Sequence, residues 1–278
     1  MVKNESWSPL VSVIVPVYNA AKFLPETIAS ISAQTWKNFE IVAVDDGSTD
    51  NSWEVLQNIT VSEKRLRCFR IPPAGRPAIP RNHGIRESRG KLIAFLDADD
   101  LWTPDKLEKQ ISYLTSHPDV GLLYGASVTF GNVSLFSPLY ETLPLPFRAY
   151  TTYDELVCKG NTIPCSTVIV KRSILDITGL FDEDPQNGIE DYDLWIQISK
   201  VTKIAFYPAI QVRYRVHEGQ FSSDWEIKAK RVEYLAAKRN LPLPKYTFAR
   251  NKGPLILLAR NLVEIAAVAY YKLMHIFQ

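Results

Sequence analysis

The stretch Ile93-Ala94-Phe95-Leu96-Asp97-Ala98-Asp99-Asp100-Leu101-Trp102-Thr103-Pro104-Asp105 gathers the groups best suited to chemistry. Its apolar opening reads as a buried strand, too short and too abruptly ended for a helix. Asp97, Asp99 and Asp100 follow at the strand's end, and Thr103-Pro104 then opens a helical pattern. Carboxylates this close repel one another unless a cation lies among them. A hard divalent ion carrying phosphates suits such a place, because Mg²⁺ takes few protein carboxylates and completes its shell with phosphate oxygens. The C-terminal end of a core strand is also where open α/β sheets bind their ligands. The competing reading is an acidic strand-to-helix turn in which Asp caps the helix. Taken alone, the stretch fits both.

Other groups could complete a site. Glu190-Asp191 opens a helical pattern, where acids either do proton chemistry or simply answer the helix dipole. Arg81 offers a planar fork to phosphate or to neighbouring carboxylates. Asp45-Asp46-Gly47-Ser48-Thr49-Asp50 packs turn and capping residues behind a strand. His217 follows another strand, where a lone histidine is more commonly an ordinary surface or core side chain.

These groups need a scaffold, and the chain alternates strand and helix. Leu10–Val15 reads as a buried strand ended by Pro16, with Val17-Tyr18-Asn19 as a loop and a helix from Ala20 to Gln34. Phe39–Val44 is a second strand, Asn51–Asn58 a helix and Arg67–Ile71 a third strand. A Pro- and Gly-rich loop, Pro72–Pro80, leads into Arg81-Asn82-His83-Gly84 and a helix up to Arg89, before the acidic stretch. This order means a parallel, doubly wound half-domain. The glycine fingerprint of dinucleotide binding is absent after the first strand, where Pro16-Val17-Tyr18-Asn19 stands. Farther on, a helix to His117 and a strand Val120–Phe130 precede an irregular, aromatic- and Pro-rich segment, 131–165, with the character of a specificity loop. Ser166–Lys171 is a strand, Arg172–Ile177 a short helix, 189–200 a helix, and Ile204–Tyr207 and Gln211–Val216 are strands.

Taken in order, Val15-Pro16-Val17-Tyr18-Asn19, Glu40–Asp50, Arg81-Asn82-His83-Gly84-Ile85, Phe95–Asp100 and Glu190-Asp191 resemble the family 2 glycosyltransferases, over roughly residues 10–220. The resemblance implies the GT-A fold and transfer of one sugar from a nucleotide-sugar, with inversion and a divalent metal, Mn²⁺ or Mg²⁺. It implies a nucleotide-binding half at about 10–105 and an acceptor half at about 106–224. By resemblance, Pro16, Val17, Tyr18, Asn19, Asp46, Arg81, Asp97, Ala98 and Asp99 would hold the donor, with Asp46 accepting from a uracil-type imide. Asp99 and His217 would be metal ligands, and Asp191 the base. Glu190 and Trp195 would lie on the acceptor side. The residues before Arg81 depart from the family pattern, since Arg76-Pro77-Ala78-Ile79-Pro80 replaces small residues and offers Arg76 as a second phosphate contact. The Gln-x-x-Arg-Trp signature of processive synthases is absent, which favours single-sugar transfer over polymerisation.

The alternatives are a sugar-phosphate nucleotidylyltransferase, which would want a basic Gly-rich loop after the first strand, and a non-catalytic nucleotide-sugar-binding or scaffold domain. The expected partners are a nucleotide-sugar, UDP-linked by preference, and a glycan or lipid-linked acceptor. Nucleic acid is not expected.

Composition is that of an ordinary globular protein of 278 residues, but charge is unevenly spread. From residue 225 on, ten Lys and Arg face three acids, a charge of +7, which leaves −5 on residues 1–224 against a total of +2. Cys68, Cys158 and Cys165 have no metal-ligand spacing and fit a reducing compartment. The polar N-terminus has no signal-peptide pattern. Residues 254–278 are apolar, yet Arg260, Glu264 and Lys272 interrupt them, so no run is long enough to span a bilayer. Residues 225–278 are therefore expected to form a basic helical tail that either lies on the inner face of the membrane or packs on the catalytic domain. The expected location is cytoplasmic.

Overall fold

The β-branched runs become the middle of one mixed sheet, seen in a computed structural model that describes residues 8–132, 140–142, 149–218 and 225–244. The N-terminal half runs β1 (Val11–Val17), α1 (Leu24–Ser32), β2 (Phe39–Asp45), α2 (Ser52–Ser62), β3 (Leu66–Arg70), α3 (Ala78–Glu87), β4 (Leu92–Phe95) and β5 (Leu101–Trp102). It continues with α4 (Lys106–Ser116), β6 (Val120–Gly131), β7 (Tyr140–Thr142), β8 (Tyr150–Thr151) and α5 (Tyr153–Lys159). After a 3₁₀ turn at Cys165–Thr167 come β9 (Ile169–Lys171), α6 (Arg172–Thr178), α7 (Glu190–Ser199), β10 (Lys203–Val216) and α8 (Trp225–Arg239).

The sheet order is β3-β2-β1-β4-β9-β6-β10-β5, with β7 on β6 and β8 on β10. The first four strands are parallel, as the alternating pattern predicts. β9 enters antiparallel between β4 and β6 and joins the two halves. The parallel strands are buried on both faces, so alternate residues feed two separate cores. Ile14, Val42, Val44, Ile93 and Phe95 point to one layer, while Val13, Val15, Ile41, Ala43 and Ala94 point to the other.

Several boundaries differ from the sequence reading. β1 continues through Pro16 to Val17, because beyond Ile14 its β4 neighbour has ended and only β2 still pairs with it. α3 starts at Ala78, so the last three residues of the expected loop, 78–80, are already helical and Arg81 follows them in the same helix. The two expected strands at 204–216 are one strand, whose register shifts around Pro208 absorb the break. Within the expected irregular segment, α5 forms on a capping box: Thr152 Oγ1 accepts from the Glu155 N–H, and Glu155 reaches back to the Thr152 N–H.

For the start of the tail, the packing alternative applies. α8 docks on the domain, with Lys238 2.6 Å from both Asp182 and Asp184 and Arg239 bidentate on Asp193. Those two cations are thus occupied within the fold rather than presented to a membrane. The apolar segment 254–278 lies outside the described residues. Among the described residues no helix is long and apolar enough to cross a membrane.

Candidate active site

The strand ends β1, β2 and β4 open on one edge of the sheet, and the predicted groups assemble there. The loops after β1 and β2 are clipped together. Asn19, at φ +48°, accepts from the Thr49 and Asp50 N–H groups through its Oδ1, and its own N–H donates to Ser48 Oγ. Val17 is buried in the core and Pro16 is half-buried, which leaves Tyr18, 56% exposed, as the side chain of this loop that a ligand would meet.

Asp45 and Asp46 part company, as neighbours on a strand must. Asp45 is fully buried and pairs with Arg70 at 3.0 Å, a structural role. Asp46 accepts from the Ala74 N–H at 2.7 Å and the Gly75 N–H at 3.1 Å. The Arg76 N–H also bonds to this carboxylate, and one of its four lone-pair sites stays open. Burial pushes its carboxyl above the usual range, against the pull of those backbone donors. The loop at 72–76 closes on this turn because Gly47, at φ +64°, leaves the space that Pro73 fills: a Cβ there would stand 2.6 Å from the proline ring.

The three carboxylates of the acidic turn have three different fates. Asp97 faces α3 and accepts from Arg81 at 2.7 Å. Asp100 is fully buried, accepting from Ser166 Oγ at 2.7 Å and from the Arg215 N–H at 2.9 Å, so it anchors the turn and is not free to replace its neighbours. Burial first, then Asp99 and Asp97, raise its carboxyl far above the usual range. Asp99 lies with its Oδ2 2.9 Å from His217 Nε2, and burial followed by Asp97 raises it too. Ala98 is buried as the spacer between them rather than open to a ligand, its carbonyl accepting from Thr27 of α1.

The Asp99–His217 contact bears on the metal. His217 Nδ1 lies 2.8 Å from the Glu218 carbonyl, and its Nε2 is hydrogen-bonded to Asp99 Oδ2 at 2.9 Å. An imidazole nitrogen beside a carboxylate oxygen is also a pair that fits a divalent cation in place of the shared proton. No group of three or more His, Cys, Asp or Glu side chains is arranged to hold a metal among the described residues. The protein thus offers a partial shell of the kind that phosphate oxygens would complete.

Arg81 settles as an internal ion pair. Its Nη1 donates to Glu190 and its Nη2 to Asp97, each at 2.7 Å, and its side chain is nearly buried. Two of the guanidinium's five N–H donors are used in this way and its Nε is buried without a partner, and Arg81 thus forms a bridge between the acidic turn and α7. Arg76 is turned away from phosphate, donating to the Asp184 and Pro185 carbonyls.

α7 brings the two acids Glu190 and Asp191. Glu190 is buried against Arg81. Asp191 is half-buried; its Oδ1 accepts from the Tyr192 N–H and its Oδ2 from Asn161 Nδ2 at 3.2 Å. Burial raises the Asp191 carboxyl, and Arg81 draws it part of the way back. Trp195 is a correction: it is 0% exposed, packed between Phe95 and Phe181 in the core, where three turns of α7 must bury one face. It cannot line an acceptor pocket.

Sequence reasoning missed Ser166 and Arg215. Ser166 Oγ accepts from the Asp97 N–H and donates to Asp100, and Arg215 Nε donates to the Asp99 carbonyl. Arg215 had a legible signal, two residues before His217 on one strand face; a lone Ser in an apolar segment had none.

A model described as glycosyl transferase family 2 matches residues 12–177. The chain is 32% identical over 218 residues to the Escherichia coli UDP-Glc:alpha-D-GlcNAc-diphosphoundecaprenol beta-1,3-glucosyltransferase WfgD, covering 77% of this chain and 80% of that one. Among solved structures, S. aureus TarS 1–349 in complex with UDP-GlcNAc superposes with a TM-score of 0.66 at 20% identity, covering 91% of this chain and 71% of that chain. The mannosyltransferase PcManGT of Pyrobaculum calidifontis, in complex with GDP-Man and Mn²⁺, gives 0.62 at 20% identity, over 97% of this chain and 80% of that one.

Proposed function

The chain belongs to glycosyl transferase family 2 and is a glycosyltransferase of the GT-A fold, and we propose that it transfers a single sugar, with inversion, from a UDP-sugar to a hydroxyl of a lipid-linked glycan. The observation that carries this reading is the Arg81 bridge. One guanidinium holds Asp97 and Glu190 at 2.7 Å each, so the acidic turn and the residue beside Asp191 are joined across one site. Donor and acceptor machinery would have to meet in that way for a direct displacement.

Asp46 supports a uracil base, since its remaining lone pair can accept from an imide N–H beside Tyr18. Asp99 and His217 would hold Mn²⁺ or Mg²⁺, which when bound neutralises the departing diphosphate. Asp191 Oδ2 would take the proton of the acceptor hydroxyl as that oxygen bonds to the anomeric carbon and the bond to the diphosphate breaks. Burial raises its carboxyl, which makes the ionised form a better proton acceptor than an ordinary carboxylate. The likeness to WfgD supports a UDP-hexose donor and a polyprenyl diphosphate-linked acceptor, and hence work at the cytoplasmic membrane face.

The test is turnover of UDP-glucose, with Mn²⁺ and a GlcNAc-diphospho-lipid, by the wild type and by Asp191→Asn. A β-linked product from the wild type alone supports the reading. Normal turnover by Asp191→Asn overturns Asp191 as the base.

A further inference from the structure

α7 does not hold Asp191 in place alone. The segment that leads into it, Asp182–Ile189, together with the first turn of α7, carries Asp182, Asp184 and Asp193. Asn187, fully buried, donates to both Asp182 and Asp193 and ties these carboxylates together. Asp193 is 1% exposed, a costly place for a charge without a partner.

All three carboxylates are answered by one element. From α8, Arg239 Nε and Nη2 donate to the two oxygens of Asp193 at 2.9 and 2.8 Å. Lys238 reaches Asp182 and Asp184, and Tyr234 donates to Asp184 at 2.6 Å. Arg231 lies over Gly188 and donates to its carbonyl; a Cβ at Gly188 would stand 2.3 Å from the Arg231 Nε. All four of these polar side chains of α8 meet the segment 182–193, and Gly188 leaves the space that Arg231 fills. That segment and α8 lie beyond the residues 12–177 matched by the family model.

We propose that α8 is a working part of the active site, in which Arg239, acting through Asp193, is a positioning residue for Asp191. The proposal rests on Asp191 being the base. Asp191 sits two residues before Asp193 on the same turn, so the Arg239 fork fixes the helix end that presents it. By pairing with Asp193, Arg239 also keeps an uncompensated negative charge away from Asp191. The other groups that act on Asp191 are Arg81 of α3, Asp97 after β4, Glu190 on its own helix, Cys165 of the 3₁₀ turn, and Asn161.

The test is a carboxyl ¹³C titration of the full chain, with the Asp191 resonance assigned by its loss in Asp191→Asn. Arg239→Gln leaves Asp193 unbalanced, so the Asp191 midpoint is expected to rise by about half a pH unit or more. Asp193→Asn leaves Arg239 in excess and is expected to lower it. Asp193→Asn with Arg239→Gln is expected to return it to the wild-type value. A purely structural clamp would change melting temperature without this alternation of sign. An Asp191 midpoint unmoved in folded Arg239→Gln overturns the proposal; should that variant not fold, an unmoved midpoint in Asp193→Asn does so. Normal turnover by Asp191→Asn is a separate result that removes the base itself.

Discussion

His217 Nε2 lies 2.9 Å from Asp99 Oδ2, although 118 residues separate the two in the chain. The contact joins the end of β10 to the acidic turn after β4, and the Arg215 bonds to the same turn lock it. If the pair binds a divalent ion, His217→Ala removes the imidazole donor and leaves the turn intact. Mn²⁺ affinity, read from nucleotide binding as a function of metal concentration, should weaken by about 10-fold or more. Unchanged metal dependence would remove His217 from the ligand set.

Arg81 answers two acids in the protein interior, so its loss leaves Glu190 buried without a partner. Arg81→Ala should lower unfolding free energy by about 3–5 kcal/mol in denaturant titrations. Arg81→Ala with Glu190→Gln should recover part of that loss, because the buried charge is gone. A phosphate-binding arginine would instead lose nucleotide affinity with little change in stability.

Trp195→Phe should cost stability but leave acceptor kinetics alone, since the indole sits between Phe95 and Phe181 and never meets solvent. The larger truncation Trp195→Ala should cost about 3–5 kcal/mol. A selective rise in acceptor KM for Trp195→Phe, with stability unchanged, would restore the residue to the acceptor pocket.

Glu63 supplies a pH-dependent part of stability. Bonding to Arg65, with smaller help from Ser32, holds its carboxyl down to about 2 against an ordinary 4.5. A depressed folded value means that the stabilisation is present above the unfolded value and lost as pH falls from about 4.5 to about 2. Glu63→Gln should therefore cost about 1–2 kcal/mol at pH 7, allowing for solvent screening, and almost nothing near pH 2. Thermal melts of both proteins across that range give the comparison.

The parallel half of the fold was legible because its strands are buried on both faces and read as short apolar runs: residues 41–44 within Phe39–Asp45, and Leu92–Phe95, stand out at sight. The same is true of the acids at strand and helix ends, which the structure gathers along one edge. What eluded the sequence was the choice of partner. Nothing local says that Arg81 spends its fork on Asp97 and Glu190, since Glu190 lies 109 residues away. Nor does helical spacing tell a core Trp195 from one lining a pocket. Lys238 and Arg239 read only as part of a basic tail suited to an anionic membrane, because the carboxylates they meet lie 46 to 56 residues earlier.

The most direct measurement is calorimetric titration of UDP, GDP and dTDP into the purified protein, with Mn²⁺ and again with EDTA. The account predicts that UDP binds, that EDTA abolishes or greatly weakens the binding, and that GDP and dTDP bind less well. Absence of nucleotide binding with Mn²⁺ present would contradict it, leaving Asp46 and Asp99 without a ligand and favouring a domain that kept the fold without the reaction.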